Sequence, residues 1–400
     1  MIGSNCFCLV NGRVITPDSI ISPGGVVVEG SRIKQVAPQD QLSIPLGSHV
    51  LDVQGRYISP GFIDLHLHGG GGADTMDATP DALRTIARTH ARGGATAIVP
   101  STVTSSIEEL MAAIAAFDDA MKEPTGGAKL LGLHLEGPYF AMGQRGAQDP
   151  RYIKNPSPEE YLPILESSPW IVRISVAPEL PGALELGRTL KSRGILASIG
   201  HTEATYDDVL AAAEAGYSHV THIYSAMSMM KRVNGYRVCG VVEAGLLLDG
   251  LTVEVIADGK HLPECLLKLV YKCKGPDQIA LVTDATCAAG MPPGEYRLGS
   301  AEDGQTIIVE DGVAWVADRS VFAGSVALAN WLVRTMVSLA DVDVVNAVKM
   351  ASLTPARILG IDNAKGSISR GKDADLVVFD DDFAVWLTMV EGDTVFSKLE

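Results

Sequence analysis

The chain has 400 residues, 46% hydrophobic and 20% charged, with 32 Lys+Arg against 48 Asp+Glu and a formal net charge of −16. That length suits one large domain plus a smaller one, and the apolar fraction excludes wholesale disorder. The acidic balance argues against a nucleic-acid binder, whose affinity rests on cations neutralising phosphates; an anionic small substrate would need a local Lys/Arg pocket or a metal.

In chain order, the first thirty residues carry neither a basic segment nor an unbroken apolar run, so no secretory signal is expected. Residues 1–56 read as short strands (10–16, 25–29 and 32–36), rich in β-branched residues and punctuated by Gly, Pro and Asn. From there, apolar runs recur at 58–65, 95–100, 129–135, 172–177, 195–199, 219–223, 252–257 and 279–282. Helically spaced Ala/Leu-rich stretches separate most of them, at 80–92, 106–121, 183–193, 206–216 and 262–271. Eight buried-type strands alternating with helices predict an α/β fold, a (β/α)8 TIM-type barrel of parallel strands; a doubly wound open sheet is the alternative, and the barrel size fits better. Residues 326–340 and 342–352 read as helices, and the tail turns to strands again at 374–379, 385–390 and 393–397. The two ends therefore predict a small β-sandwich from 1–56 plus 365–400, flanking a barrel over 57–364. The most apolar stretch, 241–256, is broken by Glu243, Asp249, Gly250 and Glu254 and is no membrane span. Six cysteines form no CxxC pair and read as buried, reduced thiols of a cytoplasmic protein.

Nine histidines are few, yet several fall where the apolar runs end. His66 and His68 close the first, Glu136 the third, His222 the sixth and Asp284 the eighth; His201 follows the fifth. In a barrel all these ends meet on one face, where catalytic groups sit. Residues 66 and 68 differ by two and share one side of a strand. Singly, each is an ordinary core or loop histidine. Together, four imidazoles and two carboxylates at converging ends have the composition of a zinc or iron site, with no thiolate to suggest a purely structural one. Gly69–Gly72 lacks the Lys-Ser/Thr of a phosphate loop and reads as a flexible loop beside His68.

The run Pro60-Gly61-x-x-Asp64-x-His66-x-His68, the later histidines and the Asp after the eighth strand resemble the amidohydrolase superfamily. Within it, His134-Leu135-Glu136-Gly137-Pro138, Gly200-His201-Thr202, Asp258-Gly259-Lys260-His261 and Thr283-Asp284-Ala285 are similar to the N-acetylglucosamine-6-phosphate deacetylase family, nearly end to end. That resemblance implies removal of an acetyl group from an amino-sugar phosphate. It implies that Glu136, His201 and His222 hold a principal divalent metal, and that His66 and His68 hold a second one bridged by Glu136. Asp284 would be general base and then acid, His261 would contact the substrate and help polarise the acetyl carbonyl, and Gln148 would contact the sugar. Asp64 is expected to be structural.

The family's Asn-Ala pair after strand six reads Ser225-Ala226 here, and Arg232 lies near the expected phosphate-binding arginine, with Lys231 and Arg237 as further local cations. Relatives use that arginine in a neighbouring subunit's site, which implies a homodimer. The Ser225 change leaves the hexosamine open between N-acetylglucosamine and N-acetylgalactosamine 6-phosphate. Another amide or amine substrate remains a second reading, although the fourth run carries none of the lysine that cyclic-amidase members use over 172–179. A non-catalytic scaffold on the same fold would have lost ligands, and none is lost here.

Overall fold

The computed structural model describes residues 6–300 and 303–399. Residues 1–5 and 400, which the sequence reading gives to the small domain, lie outside the described residues. The eight apolar runs supply eight strands: β1 (Phe62–Leu67), β2 (Ala95–Pro100), β3 (Leu133–Glu136), β4 (Ile171–Val176), β5 (Leu196–Ile199), β6 (Tyr217–Val220), β7 (Thr252–Ile256) and β8 (Ile279–Val282). Neighbours pair in parallel around the ring. The β2–β3 junction is made by a bridge between Ser101 and His134, and by Thr102 N–H donating to the His134 carbonyl at 2.9 Å. Asp284 N–H donates to the His66 carbonyl at 2.9 Å and Leu67 pairs with Ala285, so β8 closes onto β1. The barrel expected from the sequence is the one observed.

Helices cover the outside with their apolar faces. The first, α1 (Pro80–Ala91), starts on Thr79, whose side chain accepts from Ala82 N–H, and buries Leu83, Ile86 and Ala87. The next, α2 (Ile107–Ala120), starts on a capping box in which Ser106 and Glu109 satisfy each other's free amides. Among the described residues three α-helices escaped the sequence reading, Pro158–Ser167, Val241–Leu247 and the short Leu353–Ile358. The first carries Pro163 internally and the second is seven residues long and flush with an apolar run, so neither shows a clean helical period.

The predicted run 58–65 is cut in two. Tyr57–Pro60 belongs to the small sheet, where it pairs antiparallel with Leu376–Phe379 and parallel with Cys6–Ile15. Gly61 makes the crossing: a Cβ there would lie 2.1 Å from Thr96 side-chain atoms. Eight strands from both chain ends form this sheet. Its far edge curls back, Ile33 N–H donating to Lys372 O at 2.9 Å and Ala374 N–H to Ser31 O at 2.8 Å. The curl encloses Leu9, Val14, Val26, Ile58, Leu376 and Leu387.

A further four-stranded antiparallel sheet was not anticipated: Gly294–Leu298, Gln305–Glu310, Val313–Val316 and Phe322–Ser325. Its last strand is tied to the end of β8, Ser325 N–H donating to Asp284 O at 2.8 Å and Thr286 N–H to Ser325 O at 2.9 Å. The cysteine reading needs one correction. All six are free, but Cys265 and Cys273 are exposed. They lie on the helix Glu264–Lys274, whose buried face is Leu267, Val270 and Lys274, and fall on the other side. Among the described residues no helix is long and apolar enough to cross a membrane.

Candidate metal centre

Alternation along β1 sends Asp64, His66 and then His68 to the barrel interior. Glu136 ends β3, while His201, His222 and Asp284 each stand two residues beyond β5, β6 and β8. His222 and Asp284 therefore sit past the strands on which the sequence reading ended them. The reason is backbone geometry: His201, His222 and Asp284 have φ of 48°, 26° and 47°. A non-glycine residue there costs on the order of 1 kcal/mol or more, and it lets the side chain turn back over the barrel mouth instead of following the pleat. Gly69–Gly70 and Ala73–Asp74 form a two-residue hairpin beside His68, tighter than the flexible loop expected.

Glu136 is the centre. Its Oε1 lies 3.2 Å from His66 Nε2, 3.2 Å from His222 Nε2 and 3.5 Å from His201 Nε2, and its Oε2 lies 3.3 Å from His68 Nε2. Two overlapping ligand sets result, His66–His68–Glu136 and Glu136–His201–His222, with the donor atoms of each within 4.8 Å of one another. Asp284 Oδ1 stands 3.3 Å from His68 Nε2 and 3.5 Å from His66 Nε2. Burial would raise the Glu136 carboxyl, but the facing imidazoles, His66 first, hold it well below its usual range. Burial likewise opposes ionisation of Asp284, and His66 and His68 bring it below its ordinary value.

The donor set fits a divalent cation. Among the described residues His66 Nε2 is buried with no hydrogen-bond partner, although two carboxylate oxygens face it. His201 Nε2 and His222 Nε2 meet at 3.2 Å beside the same Glu136 oxygen. Imidazole nitrogen and carboxylate oxygen converging in this way suit zinc or iron.

The site floors a cavity of about 530 Å³. His68, Glu136, Gln148, His201, His222, Ser225, Ala226, His261 and Asp284 line it, with Trp315 and Phe322 of the four-stranded sheet on the far wall. The sequence reading missed those aromatics because it placed no strand there. His261 Nδ1 is held by Asp258 Oδ2 at 2.8 Å. Gln148 is tied on both sides: Nε2 donates to Glu136 Oε2 at 2.7 Å and Oε1 accepts from Thr104 N–H at 2.7 Å. Arg232 is not among the cavity-lining residues; it sits on an exposed hairpin, Lys231–Val233 paired with Tyr236–Val238.

Beneath the histidines lies a pair that sequence reasoning did not single out. Arg173 on β4 and Glu254 on β7 are fully buried and ion-paired. Glu254 figured in the sequence only as an interruption of an apolar stretch.

A closed parallel barrel with His66 and His68 at the end of its first strand, Glu136 at the end of its third and Asp284 after its eighth gathers a metal-binding type of donor set on the face where such barrels do their chemistry. A model of the Amidohydrolase family matches residues 57–395, and the chain belongs to that family. It is 36% identical over 340 residues to the N-acetylglucosamine-6-phosphate deacetylase of Vibrio furnissii, covering 85% of this chain and 83% of that one. It is 35% identical over 349 residues to the N-acetylgalactosamine-6-phosphate deacetylase of Escherichia coli O157:H7, covering 87% and 90%. The solved structure of the N-acetyl-D-glucosamine-6-phosphate deacetylase of Mycobacterium smegmatis, in complex with N-acetyl-D-glucosamine-6-phosphate, matches with a TM-score of 0.90 at 32% identity, over 98% of this chain and 100% of that one.

Proposed function

We propose that this protein removes the acetyl group from N-acetyl-D-glucosamine 6-phosphate, giving D-glucosamine 6-phosphate and acetate, as a cytoplasmic homodimer with one or two divalent ions, zinc or iron, per chain. The observation that carries this reading is Glu136 shared between two three-ligand sets, with Asp284 and His261 facing the same cavity. Glu136, His201 and His222 would hold the principal ion, and His66 and His68, with Glu136, would hold the second. The small sheet built from both chain ends, which takes in Tyr57–Pro60, buttresses the barrel that begins at Phe62.

An amide resists water because its carbonyl is weakly electrophilic and its amine leaves badly. When bound, the metal polarises the acetyl carbonyl and lowers the pKa of a water toward about 7. Asp284, an ionised carboxylate at the cavity floor, takes the proton of the attacking water and returns it to the departing nitrogen. The C–N bond breaks as that proton arrives, so acetate and a free amine leave. Asp258 fixes the His261 ring through Nδ1, and Nε2 donates to the acetyl oxygen when the ring carries both hydrogens. Gln148, Ser225 and Ala226 bound the sugar. Arg232 has no ion-pair partner among the described residues and takes the phosphate of the neighbouring copy.

Ser225 and the galactosamine-type relative favour a second reading, N-acetyl-D-galactosamine 6-phosphate. Metal analysis with acetate release from both sugars tests the proposal. The expected result is bound metal, acetate from the gluco sugar, and an Asp284→Asn variant that keeps its metal while kcat falls by about 10²–10⁴-fold. Metal without acetate from either sugar refutes the substrate class, and a chain that holds no metal restores the scaffold reading.

A further inference from the structure

His66 needs its ring nitrogens sorted before it can serve as a ligand. Nδ1 lies 3.2 Å from Glu254 Oε2, while Nε2 points at Glu136 and Asp284. An ionised Glu254 accepts only, so Nδ1 must carry the hydrogen and Nε2 is left with its lone pair toward the metal centre. Glu254 Oε1 accepts from the guanidinium of Arg173, which pairs the carboxylate with a fixed cation. The guanidinium is anchored from four strands or their ends. Nε donates to Ser198 Oγ at 3.0 Å, Nη1 to Leu65 O at 3.1 Å and to Glu254 Oε1, and Nη2 to Thr221 Oγ1 at 3.0 Å. A carboxylate clamped this firmly has one position to offer His66.

We propose that Glu254, clamped by Arg173, is a positioning residue that sets the tautomer and orientation of His66 and thereby governs occupancy of the His66–His68–Glu136 half of the site. The inference rests on the two-ion form of the function proposed above. The same carboxylate reaches the other half only through His222 backbone N–H, at 3.0 Å. That loop keeps a second tie independent of the side chain, Ile223 N–H to the Glu254 carbonyl at 2.9 Å. The carboxylate also faces His219 Nε2 at 3.4 Å, a residue of neither ligand set. Among the ligands, a change of side chain at 254 therefore falls on His66 and leaves the Glu136–His201–His222 set in place.

The test avoids a stranded charge. Removing Glu254 alone leaves a buried guanidinium unpaired, whereas replacing both partners by apolar residues of similar volume is often neutral for stability. Zinc binding is measured by calorimetric titration and by metal analysis after dialysis, on wild type, Arg173→Met/Glu254→Leu, Arg173→Met/Glu254→Gln and Glu254→Asp. Circular dichroism checks the fold of each. Wild type is expected to bind two zinc ions. The apolar double variant keeps one at wild-type affinity and binds the second about 10–100-fold more weakly, the usual effect of losing such a hydrogen-bond partner of a ligand. Glutamine beside methionine restores an acceptor for Nδ1–H and recovers the second ion. Glu254→Asp keeps the anion for Arg173 but withdraws it from His66, so it also weakens the second ion. A purely structural role would lower the melting temperature without changing the ratio of the two affinities. Two ions at wild-type affinity in folded Arg173→Met/Glu254→Leu, or in Glu254→Asp, overturn the proposal. A wild-type chain that binds a single zinc instead overturns the two-ion reading, and this inference with it.

Discussion

Acid should destabilise this protein in part through His90, a histidine that takes no part in the chemistry. His90 on α1 is wholly buried; its Nε2 meets the Gly69 carbonyl at 2.9 Å and its Nδ1 has no partner. Burial pushes its pKa down from 6.5 to about 4, against the smaller opposing pull of the Gly69 carbonyl. The unfolded chain therefore binds this proton first. The associated stability is present above about 6.5 and is lost as pH falls toward about 4, a full loss of about 3 kcal/mol. Between pH 7 and pH 5 the same relation predicts a loss of about 2 kcal/mol. Asp64 and Asp74, both pushed up to about 7 by burial, work the other way, since they gain protons in the folded state as pH falls. A His90→Gln variant isolates the histidine, because its amide can still donate to the Gly69 carbonyl and the two aspartates cancel in the comparison. Urea unfolding of both proteins at pH 7 and pH 5 provides the measurement. The stability gap between wild type and variant should shift by about 2 kcal/mol in favour of the variant at the lower pH. Parallel pH slopes would refute the reasoning, and with it the claim that His90 is held neutral.

The metal centre and the cavity make further predictions. Glu136→Gln removes the one anion common to both ligand sets, so both ions should be lost on dialysis, with affinities down by more than the about 10–100-fold of an outer partner; retained metal would deny Glu136 its bridging place. Ser225→Asn adds an amide at the sugar end of the cavity, and one new hydrogen bond of about 0.5–1.5 kcal/mol should change KM by about 2- to 10-fold with kcat unchanged; an altered kcat with constant KM argues against a binding role. Arg232→Ala should raise KM by about 10- to 100-fold, the worth of a charge-assisted contact. If that arginine serves the neighbouring copy, mixing the variant with inactive Asp284→Asn chains should bring back turnover at the wild-type KM, and a mixture that keeps only the raised KM speaks against action between copies.

Much of this architecture was legible in the sequence because its signals are local. Eight apolar runs at regular spacing specify a barrel, and strands such as 95–100 and 279–282 came out at the observed bounds. His66 and His68 could be assigned to one face by counting to two, and the motifs around Glu136, His201, His222, His261 and Asp284 singled out residues that the structure brings to one cavity. The four-stranded sheet was missed although Gln305–Glu310 and Val313–Val316 flank an Asp311-Gly312 turn, a strong local hairpin signal, because its strands lie outside the alternation of apolar runs and helices that defines the barrel. Arg232 looked like a cavity residue by proximity in sequence, yet its hairpin faces solvent.

What the sequence determined by itself is which residue types stand at which strand ends, since alternation and apolar periodicity are properties of neighbouring residues. What only the tertiary structure decided is how those ends meet. Left-handed backbone at His201, His222 and Asp284 aims the two imidazoles at Glu136 and the carboxylate at His66 and His68; Asp and His enter that conformation more readily than most residues, but nothing local marks which of them do. Arg173 and Glu254, 81 residues apart, became partners through the register of a closed ring. In the linear chain each is one charge inside an apolar run, and only the barrel's closure makes them the floor of the metal centre.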